Sequence, residues 1–150
     1  SGVAIIRAGG LTEVEMIEKK HRIEDALEAV RSAQQEGIVP GGGVTLLRAS
    51  RGIHVDVAND DQGLGVKIIL EAVKDPVKQM ANNAGLSPDV IIEKVLAEKG
   101  SMGMNFYSGE IVDLFEEGVI DPAKVTRTAL QNAVSVASTL ITTNYAIIEV

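Results

Sequence analysis

Apolar positions fall into two rhythms over the first forty residues. Val3 to Arg7 is a short, β-branched run stopped by Gly9-Gly10, which predicts a strand. From Thr12 onward, apolar residues recur at Val14, Ile17, Ile23, Leu27, Val30 and Ala33, close to helical spacing. Thr12 is placed to cap that helix, and Glu15 three residues later completes a capping box. Gly37 is a natural stop, with Pro40 just beyond it. The result is a helix of about 24 residues, long for a globular domain and suited to bridging two bodies.

The stretch Gly37 to Gly43 breaks the pattern and predicts a hinge or domain boundary. Val44 to Ala49 reads as a short helix, and Arg51 to Ala58 as a connector. Asn59 is set to cap a second long helix, from Asp60 to about Asn83, with a break at Pro76 and an end at Gly85. Ser87-Pro88-Asp89 opens a third, Val90 to Glu98, with Ser87 as its cap and Pro in the first turn. Lys99 to Gly109 reads as a loop, and Ile111-Val112 as a short strand. Asp121-Pro122 starts a last helix to about Thr139, whose face (Ala123, Leu130, Ala133, Val134, Ala137) is small and apolar. Ala146 to Val150 is β-like. The fold class is mainly α, with minor strands.

Composition narrows the function classes. Hydrophobic residues make up 45% of the 150 positions, enough for a real core, but aromatics only 3% and Trp none. The core must therefore be aliphatic. The net charge is -7, and Lys and Arg are scattered, so no basic stripe exists to hold nucleic acid. Cysteine is absent, which excludes disulfides and thiolate metal sites. No apolar run approaches the ~20 residues of a membrane span. The sequence opens without Met on an apolar run, as an excised segment would.

Candidate chemistry is sparse when taken residue by residue. Gly41-Gly42-Gly43 before a helix allows close backbone approach to a ligand, but it is neither a P-loop nor a dinucleotide fingerprint. A plain interdomain turn is the other reading. Asp25 lies two positions from Leu27 and so points roughly 200° away from it. It is either one exposed acid among many or a carboxylate that orients an attacking water. Asp121 reads as a helix cap or as an acceptor for ribose hydroxyls, and the two roles are compatible in one residue. Asp60-Asp61 fits helix-start acids better than a calcium loop. His21 and His54 stand apart from any metal-ligand cluster.

In combination these pieces carry a resemblance. The run Thr12-Glu13-Val14-Glu15-Met16, Glu18-Lys19-Lys20, Arg22, Glu24-Asp25-Ala26-Leu27, Ala29 and Arg31 resembles the helix that joins the apical and equatorial domains of group I (GroEL-type) chaperonins. Glu36-Gly37-Ile38-Val39-Pro40-Gly41-Gly42-Gly43-Val44 resembles the family's hinge and glycine turn. Gly118-Val119-Ile120-Asp121-Pro122-Ala123-Lys124-Val125-Thr126-Arg127 resembles its Asp-Pro-Thr-Lys-Val helix start, and Leu140-Ile141-Thr142-Thr143 the threonine pair before its last strand. The likeness runs through the whole chain in order.

The resemblance implies a carboxy-terminal piece: residues 1–36 as an intermediate-domain segment, and 37–150 as half of a helical equatorial ATPase domain. It implies that Asp25 is the catalytic carboxylate, that Gly42 touches the nucleotide, and that Asn105, Val119 and Asp121 surround adenine and ribose. It places Gly2 and Gly37 near two hinges, and the tail in a sheet shared with the next subunit. The implied cofactor is ATP or ADP with Mg2+, without a magnesium ligand in this chain. The implied partners are the other subunits of a seven-membered ring, a co-chaperonin and non-native proteins, and the implied location is the cytoplasm of a bacterial or phage-infected cell, with an organelle matrix also allowed. Phe106 and Tyr107 depart from the family's two small residues after Asn105, and Asn144 from its usual acid. The family's Gly-Asp-Gly-Thr-Thr-Thr phosphate loop is nowhere in the sequence. A non-enzymatic helical assembly module and a stand-alone nucleotide sensor are the competing readings.

Helices that pack on a missing half leave apolar faces open, so the chain is expected to self-associate. Light scattering tests this: a monodisperse monomer at high concentration would contradict it.

Overall fold

The computed structural model describes residues 2–148. Among the described residues six α-helices dominate: α1 (Glu13–Glu36), α2 (Val44–Ala49), α3 (Asp60–Ala72), α4 (Asp75–Asn83), α5 (Pro88–Ala97) and α6 (Ala123–Ile141). Four short strands accompany them: β1 (Ile38–Pro40), β2 (Met102–Asn105), β3 (Glu110–Asp113) and β4 (Ile120–Pro122). The fold is mainly α, as expected. The chain divides into two compact units, Ser1–Gly37 with Pro122–Val150, and Ile38–Asp121.

The first unit pairs α1 with α6. Thr12 Oγ1 accepts the Glu15 backbone N–H at 3.2 Å, and the Glu15 carboxylate accepts from Leu11 N at 2.8 Å. The capping box is therefore displaced by one residue on its return arm. Gly37, at φ 81°, ends α1 by donating to Ala33 O at 2.8 Å. Its own carbonyl accepts the first N–H of α6, from Ala123, at 3.0 Å. The Arg127 guanidinium grips Glu36 with two bonds of 3.0 and 2.6 Å, a bidentate pair. Neither helix buries a residue. The stripe Val14, Ile17, Leu27, Val30 is exposed, so its periodicity states a need for a partner that these residues do not supply.

The second unit holds the core. Val44, Leu47, Val77, Ala81, Ile91, Ile92, Val95, Met104 and Leu114 form one buried cluster, drawn from α2, α4, α5, β2 and the end of the β2–β3 hairpin. β1 pairs with β4, and β2 pairs antiparallel with β3, Met102 opposite Asp113 and Asn105 opposite Glu110. Asn59 caps α3 through Gln62 N at 2.9 Å, and Gln62 returns the bond to Ala58 N at 2.9 Å. Gly85 N–H reaches Asn82 O and Leu86 N–H reaches Ala81 O, a Schellman closure of α4.

Several expectations are corrected. Val3 to Arg7 forms no strand, because among the described residues no neighbour offers it a ladder. The second long helix is two, parted at Val73-Lys74 so that Pro76 falls in the first turn of α4, where its missing N–H costs nothing. Ser87 makes no side-chain cap. The loop Lys99 to Gly109 contains β2, whose Met-Gly-Met-Asn sequence carries no β-branched signal. Ala146 to Ile148 is not a strand here, and Glu149 and Val150 lie outside the described residues. No described helix is long and apolar enough to cross a membrane.

Two glycines make the core possible. A Cβ on Gly103 would lie 2.5 Å from Leu114 Cδ1 and 2.7 Å from Val44 Cγ2. One on Gly43, at φ 72°, would lie 2.8 Å from Val77 Cγ2. Gly103→Ala is therefore expected to cost about 1–3 kcal/mol by overpacking, and Leu47→Ala about 2–5 kcal/mol by leaving a cavity. Urea denaturation checks both; an unchanged midpoint for Gly103→Ala would show that β2 packs less tightly than this.

Candidate functional site

The glycine turn is built by β1 and β4 together. Gly41 N–H donates to Val119 O at 2.9 Å, and Val119 N–H donates to Leu114 O at 2.8 Å. Thr45 Oγ1 closes the turn onto Pro40 O at 2.8 Å. Gly42 and Gly43 both take left-handed backbone, at φ 63° and 72°, which only glycine adopts freely. A Cβ on Gly42 would sit 3.7 Å from Met104 O. The turn thus lies against the end of β2, next to Asn105.

Four of the residues singled out from the sequence therefore share one neighbourhood of the second unit. Gly42 and Val119 meet through Gly41, Asn105 follows Met104, and Asp121, in β4, comes two residues after Val119. Gly2 and Gly37 do not join them: Gly2 stands in open space, and Gly37 is the end of α1. Asp25 belongs to the first unit. It is exposed on α1, in a shallow groove with Val14, Ile17, Glu18, His21 and Arg22. Arg22, three residues back, is turned onto Glu18. Among the described residues the Asp25 carboxylate has no ion pair.

Asn105 is half committed. Its Oδ1 accepts Tyr107 N–H at 3.0 Å and Ser108 N–H at 3.4 Å, an Asx turn that starts the hairpin loop. Its Nδ2 remains as a two-proton donor. Asp121 is not the cap of α6. The helix begins at Ala123 behind Pro122, with no side-chain cap bond. The Asp121 carboxylate is instead half-buried in β4, and burial pushes its pKa up from 3.8. A carboxylate short of solvent, with no side-chain cap to satisfy, suits a hydroxyl donor. Two carboxylates elsewhere are held low: Arg127 lowers Glu36, and Lys74 with Lys78 brings Glu71 to about 2. Among the described residues no group of three or more His, Cys, Asp or Glu side chains gathers as a metal site would.

One residue that supports this neighbourhood carries no signal in the sequence. Arg48, on α2, donates to the backbone carbonyls of Val95 (3.0 Å), Gly100 and Met102. It satisfies the open carbonyl end of α5 and holds the entry to β2. Desolvation lowers its pKa, and its Nε is buried without a partner. The contacts span 47 to 54 residues and reach only backbone, so no side-chain pattern announces them.

A family model described as the TCP-1/cpn60 chaperonin family matches residues 1–150. The chain belongs to this chaperonin family. A crystal structure of a group III chaperonin in the open state is similar in fold, with a TM-score of 0.79 and 30% identity. The likeness covers 93% of this chain and 30% of that one, so the chain spans under a third of the chaperonin it matches.

The raised pKa of Asp121 has a sign. The unfolded chain loses this proton near 3.8, while the folded chain holds it longer. Folding stability therefore falls as pH rises through that window and stays lower above it. Asp121→Asn is expected to remove this decline, gaining stability over the wild type at about pH 6 but not at about pH 3. Urea midpoints at both values measure the difference, which separates it from the opposite slope given by Glu36 and Glu71.

Proposed function

We propose that this chain is the carboxy-terminal part of a group I chaperonin subunit, and that it carries the base-and-ribose side of an ATP site. The single observation that carries the reading is the gathering of Gly42, Asn105, Val119 and Asp121 at one glycine turn in a member of this family. In this reading the bare backbone at Gly42 lets the nucleotide approach. The Nδ2 of Asn105 and the side chain of Val119 face the base, and Asp121 accepts from ribose hydroxyls. Asp25 orients the water that attacks the γ-phosphate; positioning of this kind is the main work of phosphoryl transfer.

The nucleotide is ATP or ADP with Mg2+, which neutralises phosphate charge when bound. The sequence contains no Gly-Asp-Gly-Thr-Thr-Thr segment, so the phosphate loop and the magnesium ligand are assigned to other parts of the subunit. Residues 1–36 act as the intermediate-domain segment and 37–150 as the equatorial part, with Gly2 and Gly37 near the hinges. The parent works in a seven-membered ring, with a co-chaperonin and non-native proteins as partners, in the cytoplasm. ATP binding and hydrolysis swing its domains between capture and enclosure of a substrate.

ATP turnover tests the assignment. The 150-residue chain with magnesium is expected to turn over no ATP. In a full subunit, Asp25→Ala is expected to slow hydrolysis by about 100-fold or more while nucleotide still binds. Turnover by the chain alone, abolished by Asp25→Ala, would mean that the site is complete here. Undiminished hydrolysis in the full-subunit variant would remove Asp25 from the mechanism.

A further inference from the structure

We infer that His21 is a positioning residue for Asp25: its charged form draws the carboxylate along α1 and away from the attacking water, and its neutral form releases it. This rests on the reading of Asp25 given above. The two residues line one shallow groove with Val14, Ile17, Glu18 and Arg22. They lie four positions apart in a continuous helix, so their side chains stand one turn apart on the same face. Every residue lining the groove belongs to α1, so no other element brings charge into it.

The charged groups around the pair are already committed. Arg22 is bonded to Glu18. Lys19 pairs with Glu15 at 2.9 Å, Lys20 with Glu24 at 3.4 Å, and Arg31 with Glu28 at 2.5 Å. Helix α6, which packs on α1, has only Lys124 and Arg127 as charged residues, and these bond Gln35 and Glu36 at the far end of α1. Glu13 stands about two turns before His21. Among the described residues this leaves Asp25 without a cation and His21 as the group beside it that can become one.

An imidazole gains and loses its charge around neutral pH, whereas lysine and arginine keep theirs. When protonated, both ring nitrogens of His21 are donors, and one turn of helix is within their reach of Asp25. A carboxylate that accepts such a bond has fewer lone pairs left for water. When neutral, His21 loses the attraction, and Asp25 is free to face the nucleotide. Hydrolysis therefore slows as pH falls, although His21 itself touches neither nucleotide nor water.

Two substitutions separate charge from shape. His21→Gln is polar and uncharged, and His21→Lys stays charged throughout. In a full subunit, His21→Gln is expected to hydrolyse ATP about twofold faster than the wild type at about pH 6 and equally fast at about pH 8. His21→Lys is expected to be about twofold slower than the wild type at about pH 8 and to match it at about pH 6. Nucleotide affinity should change in neither. In the 150-residue chain without nucleotide, the NMR signal of the Asp25 carboxyl carbon should shift between these two pH values in the wild type and hold still in His21→Gln. A pH profile that both substitutions leave unchanged, or an Asp25 signal equally sensitive to pH in His21→Gln, would overturn the role of His21 while Asp25→Ala still abolished turnover. Undiminished hydrolysis by Asp25→Ala would overturn the reading of Asp25 and this inference together.

Discussion

The second unit depends on two places where no side chain fits. Gly103 lets β2 lie directly on Val44 and Leu114, and Gly43 lets the glycine turn lie on Val77. In a close-packed interior a single added carbon must displace its neighbours. Val44 follows the turn immediately, so burying it fixes where the turn stands. Met104 and Leu114 bury from the two ends of the hairpin, so they fix where Asn105 stands. The candidate site is thus a by-product of core packing. Its polar groups are placed by apolar contacts behind them.

Backbone hydrogen bonding finishes what packing begins. Arg48 spends its guanidinium on three carbonyls that would otherwise lie unpaired between α5 and β2. The cost of an unmade bond there exceeds the net worth of a made one, which is why a long charged side chain is drawn inward. Arg127 does comparable work in the first unit, on Glu36, but in the open, where such a pair contributes little by itself. The bond from Ala123 N to Gly37 O ties the end of one helix to the start of another and gives one open group at each a partner.

The two units differ in how well their apolar pattern is answered. Residues of α4 and α5 bury what their periodicity displays, at Val77, Ala81, Ile91, Ile92 and Val95. The stripes of α1 and the end of α6 stay in contact with solvent, as do Leu64 and Ile68 on α3. An amphipathic helix gains its stability from what covers it rather than from propensity. Exposed faces of this extent belong to a chain that spans under a third of the chaperonin it matches.

The sequence by itself determined the features that depend on near neighbours. Thr12, Gly37, Asn59 and Gly85 mark the helix ends because capping involves residues within five positions of one another. Gly42 and Gly43 were legible as a turn for the same reason. The motif order was enough to point to the chaperonin family before any coordinates. Only the tertiary structure decided which stripe became core, since periodicity names a face but not its partner. It made Met102 to Asn105 a strand by pairing it with β3 and laying Gly103 on the core, against weak local propensity. It freed Asp121 from capping by starting α6 one residue later, and it separated Phe106 from Tyr107 by burying one and not the other. Each of these outcomes turns on contacts between residues far apart in the chain, whose energies no local pattern encodes.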